Sequence, residues 1–215
     1  MIKNQKNIPI FPLSGVIMFP YSVLPLNVFE TRYLNMVNDA LKTDSRLIGI
    51  IQPLFKENKN LSAYENTIGC YGRIVRFEET DKKTFLITLK GISRFSIIES
   101  KLTKGGYITS QVSVKKFKDD SSKEENNIFK FEKDNRLKNI LKSYLKFKSL
   151  DSNWDYINSC SNKDLVNQLS MVCPFSSYEK QMLLESSIIE DRYILLISIL
   201  EDTIIRNDKK EKIQH

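Results

Sequence analysis

The sequence predicts an α+β chain, with strands first and helices after, on three observations. Residues 8–115 carry short apolar runs of strand length, some alternating with a period of two. One amphipathic helical pattern interrupts them after Phe29. Beyond a charged, polar stretch, Lys115 to Asn127 (KKFKDDSSKEENN), apolar residues recur at spacings of three and four. The expected division is a β-rich subdomain over 1–118 and a helical subdomain over 119–215 that ends in a charged tail.

Taken in order, Ile8 to Leu13 and Arg46 to Gln52 are apolar runs of strand length. Thr67 to Glu79 is a longer strand candidate, followed by Asp81-Lys82-Lys83 as a turn and by Phe85, Ile87 and Leu89 on one face of the next strand. Arg94 to Ser100 and Tyr107 to Lys115 continue the pattern. Gly69, Gly72 and Gly91 lie in or beside these runs, where glycine marks bulges or sharp coiling of a closing sheet. The inserted helix places Phe29, Tyr33, Met36, Val37, Ala40 and Leu41 on one stripe, with Asn27 and Glu30 spaced as a capping box. In the second half, Leu137, Ile140, Leu141, Tyr144 and Leu145 form one helical stripe, and Leu165, Leu169 and Val172 form another that stops before Pro174. Ser176 and Glu179 make a capping box for the next helix, and Ile189, Tyr193, Leu196, Ile197, Leu200 and Ile204 line the last.

Composition excludes several chemistries. The 215 residues contain one histidine, His215, which removes His-dependent triads and His-ligated metal sites. Three cysteines (Cys70, Cys160, Cys173) without a CxxC pair give neither a disulfide framework nor a zinc module, and their apolar neighbours suit inert core thiols. There is no GxxxxGK[ST], GxGxxG or GxSxG, and Asp151, Asp155 and Asp164 lack calcium-loop spacing. SxxK occurs at Ser143–Lys146 and Ser177–Lys180, patterns expected by chance among so many serines and lysines. No cofactor or metal is expected. No signal peptide or membrane span is read, so the expected location is cytoplasmic. The net charge of +7 comes mainly from lysines spread along the chain, with local clusters at Lys115, Lys116 and Lys118 and at Lys209, Lys210 and Lys212, which suits a solvated surface better than a nucleic-acid face. Glu30 and Arg32 read as a cap and an ion-pairing surface residue rather than as an acid and an anion clamp.

One feature is left for function. Phe19-Pro20-Tyr21 and Val23-Leu24-Pro25-Leu26 are apolar and aromatic where polar loop residues are the default. Such a segment either plugs the open end of a barrel or presents a contact groove for extended polypeptide.

At these residues the sequence resembles the substrate-binding, N-terminal domain of the Lon protease family. Phe11-Pro12-Leu13, Phe19-Pro20, Leu24-Pro25-Leu26, Phe29-Glu30-Thr31-Arg32-Tyr33, Gly49-Ile50, Ile68-Gly69-Cys70 and Gly91-Ile92-Ser93-Arg94-Phe95 occur in the family's order. Gly72-Arg73-Ile74-Val75, Leu165-Val166-Asn167 and Pro174-Phe175 with Glu179-Lys180-Gln181 and Leu183-Leu184-Glu185 resemble its stand-alone bacterial members. Asn27 stands where the family often has His, and Thr31 where it often has Pro. The resemblance implies a PUA-like pseudo-barrel with one inserted helix, followed by a helical bundle. It also implies a non-enzymatic role in recognising unfolded or degron-bearing polypeptides, with an ATP-dependent protease as a further candidate partner. The expected contact residues are Phe19, Tyr21, Leu24, Leu26, Phe29, Tyr33, Arg94 and Phe95. The alternative is an RNA-binding module using the barrel and the basic surface.

Overall fold

The computed structural model describes residues 5–53, 61–121 and 129–213. His215 and residues 122–128 of the expected linker lie outside them. The strands are β1 (Gln5–Pro12), β2 (Val23–Val28), β3 (Leu47–Ile51), β4 (Ile68–Glu79), β5 (Phe85–Leu102) and β6 (Ile108–Ser113), with helix α1 (Thr31–Leu41) between β2 and β3. They form one sheet in the order β2-β5-β4-β3-β1-β6, and β5 pairs with β6 as well. Among the described strand pairs only β1 and β3 run parallel. The 18 residues of β5 make this closure possible. Its first part lies between β2 and β4, and its last part (Ser96 to Leu102) turns to β6. The ring β4-β3-β1-β6-β5 is thereby closed, and β2 with the far ends of β4 and β5 overhangs it.

The inward side chains of the ring are those the alternation selects: Ile8, Ile10, Ile51, Tyr71, Phe95, Ile97 and Val112 form one buried cluster. Coiling is helped by register shifts at Tyr71/Gly72, at Ile74/Arg76 and at Ile97/Glu99. The expected strands 85–90 and 94–100 are one strand running through Gly91.

Two local expectations are corrected. The segment after Pro20, read as loop, is strand β2: Pro25 is tolerated because β2 is an edge strand. Asn27 therefore lies in that strand, opposite Leu86, and does not cap α1. The cap position is Glu30, in extended conformation and without a side-chain cap bond; its carboxylate instead pairs with Arg32 at 2.8 Å.

The helices are α2 (Arg136–Phe147), α3 (Trp154–Ser159), α4 (Asn162–Val172), α5 (Ser177–Glu185) and α6 (Ile189–Ile213). They do not all belong together. The chain forms two compact units, one holding the described residues to 121 with Pro174–Leu184, the other holding 129 to Cys173 and Glu185 onward. The expected boundary at residue 118 assigned all of α5 to the helical half; its hydrogen bonds tie it to the strands. The expected capping box opens it, with Ser176 N–H donating to Glu179 Oε2 (2.8 Å) and Glu179 N–H to Ser176 Oγ (3.2 Å). Buried Gln52 donates to Ser177 O (2.7 Å) and accepts from Gly15 N–H (2.9 Å). Lys180 Nζ donates to Gly15 O (2.8 Å), and Gln181 Nε2 to Ile68 O (3.1 Å).

In the second unit α2 and α4 pack on α6. The Phe131 ring stacks on Tyr193 with centroids 4.5 Å apart. Buried Asn162 donates to the carbonyls of Phe131 (2.8 Å) and Asp134 (2.7 Å), and buried Arg192 donates to Asn167 Oδ1 (2.7 Å). Val172, expected on the apolar stripe of α4, is exposed because the helix ends at Cys173, whose backbone turns extended before Pro174.

Candidate functional site

The apolar segment between β1 and α1 divides in two. Ile17, Met18 and Phe19 are buried and act as the plug. The Phe19 carbonyl lies so close to Gly91 that any side chain there would collide with it. Tyr21 N–H donates to Gly91 O and Gly91 N–H to Ser22 O, both at 2.9 Å, fixing the crossing. Tyr21 itself takes a left-handed conformation (φ 64°), and its side chain is exposed. From there β2 presents Val23 outward, Leu24 and Leu26 half-buried, and Phe29 exposed at the strand's end.

Arg94 and Phe95 are corrected from contact residues to interior ones. Phe95 is fully buried in the barrel cluster, and a Cβ on Gly69 would stand 2.7 Å from its ring. Arg94 is buried as well. Its Nε donates to Asp120 Oδ2 (2.9 Å), its Nη2 to Asp120 Oδ1 (2.8 Å) and its Nη1 to Leu184 O (3.1 Å). The guanidinium lies 4.5 Å from the Phe117 ring centroid. It fastens the segment Lys115–Ser121 and the end of α5 to β5.

Tyr33 is buried against Phe11, ring centroids 4.3 Å apart, and burial pushes its phenol above the usual range. Further along α1, Asp39 accepts from Lys42 Nζ and from Tyr107 OH, each at 2.9 Å. These bonds hold its carboxyl below the usual carboxylate range, that from Lys42 contributing most. Burial, then the bond to Asp39, raises Tyr107.

The expected residues that remain accessible are thus Tyr21, Leu24, Leu26 and Phe29, with Tyr21 53% and Phe29 67% exposed. Val23, in the segment singled out from sequence, is 57% exposed, and the overhanging strands add three that sequence reasoning missed: Val75 (55%), Leu86 (41%) and Phe77 (40%). On its outward face a shallow depression of about 380 Å³ is lined by Pro25, Asn27, Leu86, Thr88, Arg76 and Glu78. Val75 could not be read from sequence because it is the extra residue of the bulge at Ile74/Arg76, which breaks the alternation. Some basic residues of this unit sit in exposed local ion pairs, Arg32–Glu30, Lys42–Asp39, Arg76–Glu78 and Lys101–Glu99.

Ser143, Ser177 and Lys180 of the SxxK patterns have structural partners. Ser143 Oγ donates to Asn139 O and Ser177 Oγ contacts Ser14 Oγ at 3.5 Å, while Lys180 serves the Gly15 carbonyl. Cys70 and Cys173 are buried and Cys160 half-buried, and none of the three is in a disulfide. Among the described residues no three His, Cys, Asp or Glu side chains converge as a metal site, and no helix is long and apolar enough to cross a membrane.

Fold and surface together define a closed strand barrel bearing an open-edged apolar overhang. The chain belongs to the family of the ATP-dependent protease La (LON) substrate-binding domain, whose model matches residues 7–202. Among curated proteins it is 24% identical over 219 residues to the Lon protease of Buchnera aphidicola subsp. Baizongia pistaciae, covering 96% of this chain and 27% of that protein. It is 29% identical over 102 residues to Lon protease 2 of Sorangium cellulosum, covering 44% of this chain and 12% of that protein. The chain therefore spans a small part of these relatives. Among solved structures, the N-terminal domain of Mycobacterium avium complex Lon protease superposes with a TM-score of 0.64 at 18% identity, covering 92% of this chain and 99% of that one. The Lon N-terminal domain protein from Xanthomonas campestris gives 0.60 at 21% identity, covering 90% and 98%. These likenesses establish the α+β fold.

Proposed function

We propose that this chain binds exposed apolar segments of unfolded or degron-bearing polypeptides and serves as a recognition module, an adaptor in ATP-dependent proteolysis. The observation that carries this reading is the set of exposed apolar side chains on and beside the overhang, Tyr21, Val23, Phe29, Val75, Phe77 and Leu86. Family membership supports it. Burying such side chains yields roughly 25 cal/mol per Å², offset by the ordering of the guest, so micromolar or weaker affinity is expected.

The test is titration of a fluorescently labelled, permanently unfolded polypeptide against the intact chain and its Val23→Asp/Phe29→Asp variant. Because both side chains are exposed, the variant should melt within about 0.5 kcal/mol of the parent while binding at least about tenfold more weakly. Equal affinity of the two proteins would overturn the assignment. A parallel titration with RNA from about 50 to 200 mM salt addresses the basic-surface alternative, which predicts steep weakening as counterions are released. Apolar contact predicts little change over that range.

A further inference from the structure

β4 has strands on both sides for only part of its length. β3 accompanies it from Cys70 to Arg73 and stops at Leu47, because the preceding residue, Arg46, turns the chain away at φ 50°. The last bond across this pair runs from Ile74 N–H to Arg46 O. From Val75 to Glu79 β5 is the sole strand partner among the described residues, and the opposite edge is open. Antiparallel ladders alternate residues whose backbone groups face one neighbour and then the other. With Ile74 facing β3 and one extra residue at the bulge, Phe77 and Glu79 turn their N–H and C=O groups to the open edge. Exposed Val75 and Phe77 give this edge β-branched and aromatic character, and it contains no proline.

Where the line of β3 stops there is an open depression of about 270 Å³, lined by Lys42, Asp44, Arg46, Arg73 and Ile74 among others. Lys42 is paired with Asp39 at 2.9 Å, whereas neither Arg46 nor Arg73 has a carboxylate partner among the described residues. Three cations thus surround the depression against one lining carboxylate, Asp44.

We propose that a bound polypeptide completes the open edge of β4 as an added antiparallel strand, with its C-terminal α-carboxylate held between Arg46 and Arg73. Topology sets the direction. A guest in the line of β3 and antiparallel to β4 runs head to tail with β3, so its C-terminal end arrives at Arg46. It must end there, since β3 occupies the next position. Main-chain pairing to Phe77 and Glu79 asks little of guest sequence beyond an extended, apolar-alternating tail, and the arginines supply selection for a chain end. This inference rests on the polypeptide-binding reading above and names the guest segment.

The experiment compares a labelled decapeptide of alternating Val and Thr ending in a free carboxylate with the same peptide carrying a C-terminal amide, by fluorescence anisotropy against the intact chain. The acid should bind about tenfold more tightly than the amide, the scale of a charge-assisted contact. Arg73→Glu, at an exposed position, should lower the acid to the level of the amide. Equal binding of acid and amide overturns the proposal and needs no variant that folds. If neither peptide binds while the unfolded polypeptide does, the β4 edge is ruled out and the broader reading stands. If the unfolded polypeptide also fails to bind, both fall.

Discussion

Arg94 sets its guanidinium against Asp120, the Phe117 ring and the Leu184 carbonyl at once, in a site where side-chain exposure is 6% for the arginine and 10% for the aspartate. Removing one partner of such a pair strands the other. Arg94→Met is expected to cost about 3–5 kcal/mol in denaturant titration, while the Arg94→Met/Asp120→Leu double variant should recover much of that loss. A double variant no more stable than the single would show that the ion pair is not what the site requires. The resemblance pointed to Arg94-Phe95 as contact residues. The glycine in Ile68-Gly69-Cys70 carried a different signal: a position stripped of its side chain facing a large ring denotes close packing. The identity of these residues was therefore readable, but their inward direction was not, because a one-residue change of phase along β5 reverses every side chain.

At the scale of elements, the strands of the ring and the stripes of α2 and α6 follow periodicity directly, since each buries one face. β2 did not, because two prolines and a run of apolar residues mimic a loop. Its strand character comes from β5, to which it pairs from Val23–Lys90 to Val28–Phe85. Gly91 N–H donates to Ser22 O, so alternation turns Val23, Pro25 and Asn27 to the free edge. Pro25 thus withholds an N–H where another chain could pair. Pro25→Val should leave the melting temperature nearly unchanged but introduce concentration-dependent self-association in sedimentation. A variant that stays monomeric across the range would remove this protective role. The contrast with the proline-free edge of β4 bears on both proposals: one border of the overhang is blunted and the other left open.

The whole molecule should respond to alkali in both units. Burial raises the phenols of Tyr33 and Tyr107 in the first unit and of Tyr193 in the second. A tyrosine whose folded pKa exceeds its unfolded value binds its proton more tightly when folded. Its contribution is complete below about pH 10 and is lost as the pH rises through the folded pKa. Stability measured by denaturant titration is expected to fall from about pH 10 upward, and Tyr33→Phe should flatten that fall. An unchanged slope in the variant would exclude Tyr33 as a contributor. Asp39 acts in the opposite sense: its depressed pKa adds stability above the unfolded carboxylate value that is lost in acid as the pH drops through the folded one.

Helix α5 has a consequence for biosynthesis. The carbonyls of Gly15 and Ile68 and the buried amide of Gln52 find their partners on a segment that leaves the ribosome roughly 60 residues after the last strand-unit residues before it, a delay of several seconds at typical elongation rates. Until then the nascent barrel lacks its final seal, and the Arg94 guanidinium waits for the Leu184 carbonyl. Maturation of the strand half is thereby timed by the synthesis of the intervening helices.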